Sequence, residues 1–176
     1  MSPMIGRPRP HEAAHQYFTY IDRIAGDDVV GELESQLDPT LGLAATISEE
    51  QSLYRYEPDK WSIRQVMNHI NDSERVFLYR ALWFARGLDS PLAGMDQEVA
   101  VRAATADHVP WASHVDEFRA VRVATIAFFR NLTAAAWTRS GIASGNPVTV
   151  RALAYIIAGH VAHHTAIIEE RYLLEL

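Results

Sequence analysis

Apolar residues recur three and four positions apart along most of this chain, and that period dictates amphipathic helices. It is clearest after Lys60. Ser62 and Gln65 form a capping box, in which the serine hydroxyl accepts the amide of Gln65 and the glutamine side chain reaches back. Trp61 and Val66 are spaced as its hydrophobic staple. From there Ile63, Val66, Ile70, Phe77, Ala81 and Phe84 line one broad face of a helix expected to run to about Arg86, with Gly87 as its stop.

Three further stretches carry the same period. Val29, Val30, Leu33, Leu37, Leu41 and Ala44 predict a helix within residues 27–47, kinked or split by Pro39. A third helix is expected from Pro110 or Trp111 to about Leu132, through Val115, Phe118, Val121, Val123, Ile126 and Phe129. A fourth is expected from Thr149 to about Leu173. Residues 140–147, SGIASGNP, read as a loop, and no alternation of strand type competes anywhere. Between Gly87 and Pro110 the sequence is too irregular for one helix, although residues 96–104 suit a short one. That length permits a crossover between the second and third helices. The fold class expected is therefore all-α, a four-helix bundle with a long crossover connection between helices 2 and 3. Residues 11–176 are expected to form one domain. Residues 1–10, with Pro3, Pro8 and Pro10, read as a flexible N-terminal arm.

Composition excludes several functions. The 176 residues hold 16 Lys and Arg against 22 Asp and Glu, a net charge of −6, with no basic run to neutralise phosphates. Nucleic acid is not an expected partner. Cysteine is absent, which removes disulfides, thiolate zinc sites and cysteine nucleophiles. No stretch approaches the roughly 20 apolar residues of a membrane span, and the N-terminus lacks a signal-peptide core. The expectation is a soluble, cytoplasmic protein with no membrane partner. A chain of this size buries enough surface to fold unaided, so any metal would serve function.

The eight histidines carry the chemistry. His160 and His164, four apart, fall about 40° from each other on the helical wheel and point toward the bundle interior. Such a pair can converge on one divalent ion. It equally suits two hydrogen-bonded core histidines. His163 lies about 60° beyond His160, at the edge of the apolar arc. A third ligand must come from another helix, and His69 is the best placed, although the wheel sets it about 100° from the centre of its apolar face, in line with Ser73 and Arg80. His11, His15, His108 and His114 suit surface roles. Asp72 and Glu74 follow His69 closely and are candidates to hydrogen-bond a ligand or act as general base, Asp72 first. Solvated helix charges explain them as simply. Arg171 is read as facing inward and is a candidate anchor for an anionic substrate group, or a complement to the helix C-terminus.

The segment YRYEPDKWSIRQVMNHINDSERVFLYRALWFARG, residues 54–87, resembles the DinB-like (DinB/YfiT) superfamily of metalloenzymes, as do PLAGMDQ at 91–97 and VTVRALAYIIAGHVAHHTAIIEERYL at 148–173. A histidine seven residues after a serine cap, followed far downstream by GHxxHH and ERYL, is specific in combination. The resemblance implies a four-helix bundle holding a divalent metal by three histidines, which fall here on His69, His160 and His164. Asn68, Ala93 and Met95 depart from the motifs. Three neutral imidazoles leave a coordination position open on zinc or nickel. Relatives in this superfamily include thiol S-transferases and isomerases that use low-molecular-weight thiols, so the resemblance implies a metal-dependent thiol S-transferase acting on a small molecule, its thiol arriving as cosubstrate. Metal-dependent hydrolysis of a small substrate is the alternative enzyme reading, and a non-catalytic metal-binding helical module the third. The aromatics Trp83, Phe84, Trp111, Phe128, Phe129 and Trp137 suggest more apolar surface than one core consumes, hence a possible homodimer.

Overall fold

In a computed structural model, which describes residues 5–175, the chain is a four-helix bundle. Its helices are α1 (Phe18–Ile21), α2 (Val29–Ser35), α3 (Leu37–Ala45), α4 (Ile63–Ala85), α5 (Gln97–Ala104), α6 (Trp111–Arg130), α7 (Ala134–Trp137) and α8 (Val150–Ile167). The four bundle members are the bent α2 and α3 pair, α4, α6 and α8. No helix among the described residues is long and apolar enough to cross a membrane.

Local chemistry sets the helix ends. The Ser62 and Gln65 capping box opens α4 as the sequence predicts. Gly87 closes it at φ +78°, where the amides of Gly87 and Leu88 return to the carbonyls of Phe84 and Trp83, a Schellman motif. Asp96 caps α5 and Thr149 caps α8. Trp111 begins α6 with its amide held by the distant Glu49 carboxylate at 2.9 Å. Pro39 splits the first bundle helix at Gln36, because its ring cannot share the turn with the Ser35 carbonyl four residues earlier.

Two expectations change. Residues 140–147 are not a loop: β1 (Ser140–Ala143) and β2 (Asn146–Thr149) pair antiparallel, Ala143 opposite Asn146. Ser144 and Gly145 both take positive φ, the two-residue turn whose twist matches a hairpin. Gly141 is required there, since a Cβ would lie 2.1 Å from the Phe84 ring. The crossover joins this hairpin: the Leu92 amide donates to the Ile142 carbonyl at 2.9 Å, and the Ser144 amide returns to Leu92. Second, α8 does not continue regularly to Leu173 but widens into a π turn, Ile168–Tyr172. Of the stretch read as an arm, residues 1–4 lie outside the described residues. Residues 5–10 follow the bundle surface, where Arg151 donates to the Ile5 carbonyl and Arg7 to Asp22.

The apolar interior forms two clusters. Phe77, Ala81 and Phe84 of α4 meet Leu153, Ile156 and Ile157 of α8 in one, with Val29, Leu33, Ile126 and Phe129. Ile63, Val66 and Ile70 meet Val161, Ile168 and Tyr172 in the other, with Ala44 and Phe118. Polar residues occupy the belt between them. There Arg122 of α6, fully buried, binds Glu74 of α4 through Nε at 2.9 Å and Nη2 at 2.8 Å, and donates to Gln36 at 3.0 Å. Gln36 in turn donates to the Ala158 carbonyl of α8 at 3.0 Å. This network crosses the whole bundle. Of the aromatics expected to exceed one core, Phe84, Trp111, Phe129 and Trp137 are buried within it, and Trp83 and Phe128 pack against it in part.

Candidate metal centre

The belt also carries the histidines. His69 stands on α4 beside Ile70, at the inner end of the second cluster, and His160 on α8 at the matching level of that antiparallel neighbour, where each is 4 % exposed. Their Nε2 atoms lie 3.0 Å apart. His164, one turn further along α8, brings its ring centre to 4.9 Å from that of His69 and 4.5 Å from that of His160. One donor nitrogen from each of the three lies within 4.8 Å of the others. His69's position at the flank of its apolar face is what turns it toward α8.

The surroundings favour neutral rings. Burial pulls the pKa of His69 down to about 4. Burial, then His69, His163 and Arg23, pull His164 down to about 3. His160 lies well below the ordinary value, from burial first and then the neighbouring histidines. Among the described residues no hydrogen bond joins these rings to a carboxylate or peptide carbonyl that would stabilise an imidazolium, whereas neutral imidazoles present the lone pairs that a cation needs. Two nitrogens bound to one ion at about 2.1 Å lie about 3.0–3.4 Å apart. The His69 and His160 nitrogens are at that separation and the His164 nitrogen lies within 4.8 Å of both, so the donor set can hold a divalent ion. Ser73 Oγ, 3.4 Å from His69 Nδ1, is the hydroxyl that can accept a hydrogen bond from Nδ1–H and so leave the Nε2 lone pair free.

Aromatic rings enclose the cluster. Trp61, the staple of α4, lies 5.0 Å from His69. Tyr20 of α1 lies 5.2 Å from His160 and 5.4 Å from His163, and Phe77 6.0 Å from His160. Tyr20 reaches this position because Gly159 has no side chain: a Cβ there would lie 2.0 Å from the Tyr20 carbonyl. Two clefts open onto the cluster. One, of about 160 Å³, is lined by His69, His160, Tyr17, Tyr20, Phe77 and Arg80. The other, of about 270 Å³, reaches His164 between Tyr56, Trp61 and Tyr172.

The remaining sequence candidates lie elsewhere. Asp72 is half-buried on the side of α4 turned to α6, 3.7 Å from Arg75. Burial raises its pKa, Arg75 lowers it, and Glu117 raises it. Glu74 is held by Arg122 in the belt. Arg171 does not face inward: the π turn breaks the angular period on which that reading relied, leaving Arg171 exposed against Tyr56, 5.8 Å over its ring. His163 is partly buried outside the three-histidine group, its pKa lowered by burial, then by Arg23 and Arg171. His11, His15 and His108 are exposed. His114 is not a surface residue; it is 2 % exposed and donates from Nε2 to the Ala106 carbonyl at 3.0 Å, because the end of the crossover covers the first turn of α6. Sequence reading missed Tyr20 and Arg80 as parts of the site. The close approach at Gly159 that brings Tyr20 there leaves no local signature, whereas Arg80 shares the wheel line of His69 and Ser73, which is the signal that could have found it.

The fold has a solved counterpart. YfiT from Bacillus subtilis, described as a probable metal-dependent hydrolase with an unusual four-helix bundle topology, aligns with a TM-score of 0.73 at 18 % identity, over 96 % of this chain and 92 % of its own. That likeness is one of fold. No curated protein matches. The family model of the DinB superfamily matches residues 32–168, from the bent first bundle helix to the start of the π turn and through both histidine-bearing helices, and this chain belongs to that superfamily.

Proposed function

We propose that this protein is a metal-dependent hydrolase of a small substrate, with His69, His160 and His164 as the ligands of one divalent ion, zinc or nickel. The observation that carries the reading is the 3.0 Å approach of two buried imidazole nitrogens from separate helices, with a third imidazole beside them. A cation held by three neutral nitrogens supplies Lewis-acid polarisation and a water acidic enough to react near neutral pH.

The chain's own residues prepare that site. Burial keeps the three rings unprotonated near neutral pH. Ser73 orients His69 through Nδ1. Trp61, Tyr20 and Phe77 exclude bulk water and narrow the approach to the two clefts. The description of YfiT supports hydrolysis. Thiol transfer, as the resemblance implies, would use the same site with a low-molecular-weight thiol as cosubstrate, since the chain has no cysteine of its own.

Elemental analysis of protein purified without a histidine tag, followed by turnover of small esters and amides with and without added thiol, tests the reading. The expected result is one ion per chain and hydrolysis without thiol. Turnover that requires thiol makes the protein a transferase, and absence of a bound ion removes the enzyme reading.

A further inference from the structure

A guanidinium is costly to bury without a counter-charge, so interior arginines come paired. Arg64, 4 % exposed, meets Glu49 at 2.5 Å, and Arg122, fully buried, meets Glu74 at 2.8 Å. Arg80 is as buried as Arg64, at 4 %, yet its only hydrogen-bond partners among the described residues are neutral. Its Nη2 donates to the Ala93 carbonyl at 3.1 Å and to Ser144 Oγ at 2.9 Å, and its guanidinium carbon lies 5.7 Å from the centre of the Phe77 ring. Nε and Nη1 make no hydrogen bond among the described residues. Arg80 lines the same cleft of about 160 Å³ as His69 and His160, and no Asp or Glu lines that cleft with it.

We propose that Arg80 is the anchor for a carboxylate on the substrate, so that the enzyme acts on a small organic acid. This rests on the histidine cluster being the reacting centre. The crossover and the hairpin clamp one terminal nitrogen, leaving the rest of the planar fork to accept a carboxylate. One phenyl ring separates anchor from centre: Phe77 lies 5.7 Å from the guanidinium and 6.0 Å from the His160 ring. The substrate is therefore small, spanning the Phe77 ring between its charged group and the bond that reacts. A single cation with two unused nitrogens suits a monoanion better than a phosphate dianion.

The test is binding. 4-Fluorobenzoate, the uncharged 4-fluorobenzamide and inorganic phosphate are titrated into the full chain, metal-loaded and chelator-treated, while fluorine resonances and the arginine Nε–H resonances are followed. Benzoate is expected to move the Arg80 resonance in both forms of the protein. Arg80→Gln should weaken benzoate binding about tenfold or more and leave the amide unaffected, with Arg80→Lys between them. A benzoate titration that leaves the Arg80 resonance of the wild-type chain unmoved overturns the inference, and that readout does not depend on a variant folding. Stronger binding of phosphate than benzoate at Arg80 overturns the assignment to carboxylate. Arg80-dependent benzoate binding in a chain that retains no ion sustains the anchor while removing the metal reading.

Discussion

His69 and His160, 91 residues apart in the chain, face one another Nε2 to Nε2 at 3.0 Å in the polar belt between the two apolar clusters. Substituting alanine for His69, His160 or His164 singly should lower metal affinity by more than the roughly 10–100-fold that losing an outer hydrogen-bond partner costs. Elemental analysis after dialysis checks this. Stoichiometric metal retained by the triple alanine variant would remove the assignment.

Ser73→Ala is a gentler probe of the same site. It should weaken metal binding by about tenfold while leaving the thermal stability of the metal-free protein nearly unchanged, because it frees only the orientation of His69. Competition against a chromophoric chelator reads the affinity.

Acid should destabilise the metal-free protein through these buried histidines. In the unfolded chain each imidazole takes a proton near pH 6.5, whereas folded His69 refuses one until about pH 4 and His164 until about pH 3. Between those values the unfolded state binds more protons, so stability falls as pH falls, by at most about 1.4 kcal/mol per pH unit for each ring. Urea unfolding of chelator-treated protein from pH 7.5 to 4.5 measures the slope. A flat profile would contradict the burial of these rings.

Glu74→Ala should cost about 3–5 kcal/mol, since it strands the fully buried Arg122 without its counter-charge. Metal content of the fraction that stays folded should not change. Equilibrium denaturation and elemental analysis together separate this structural pair from the histidine site.

Much of the bundle was legible because its signals are local. The Ser62 capping box, Gly87 and the apolar period of α4 need no knowledge of any other segment, and Pro39 acts on its own turn. The His160 and His164 pair was legible for the same reason. What escaped notice depends on distant partners. The hairpin at 140–149 is built from small residues and a proline, with no alternation to announce it, and it is held by Leu92 of the crossover and by Phe84 against Gly141. A helical wheel assumes 100° per residue, so it misassigned Arg171 once α8 widened into a π turn. It also undervalued His69, whose flank faces α8. Glu74 and Arg122 find each other across 48 residues, which no periodicity reveals.

The notch at Gly159 also separates two kinds of inheritance. It seats Tyr20 on α8, so one wall of the smaller cleft comes from Tyr17 and Tyr20, upstream of residue 32 where the family model begins. Replacing that short leading segment reshapes the chamber while the three candidate ligands, all within the matched residues, stay in the chain. Chains that keep the same nitrogen donors can in this way diverge in what they admit.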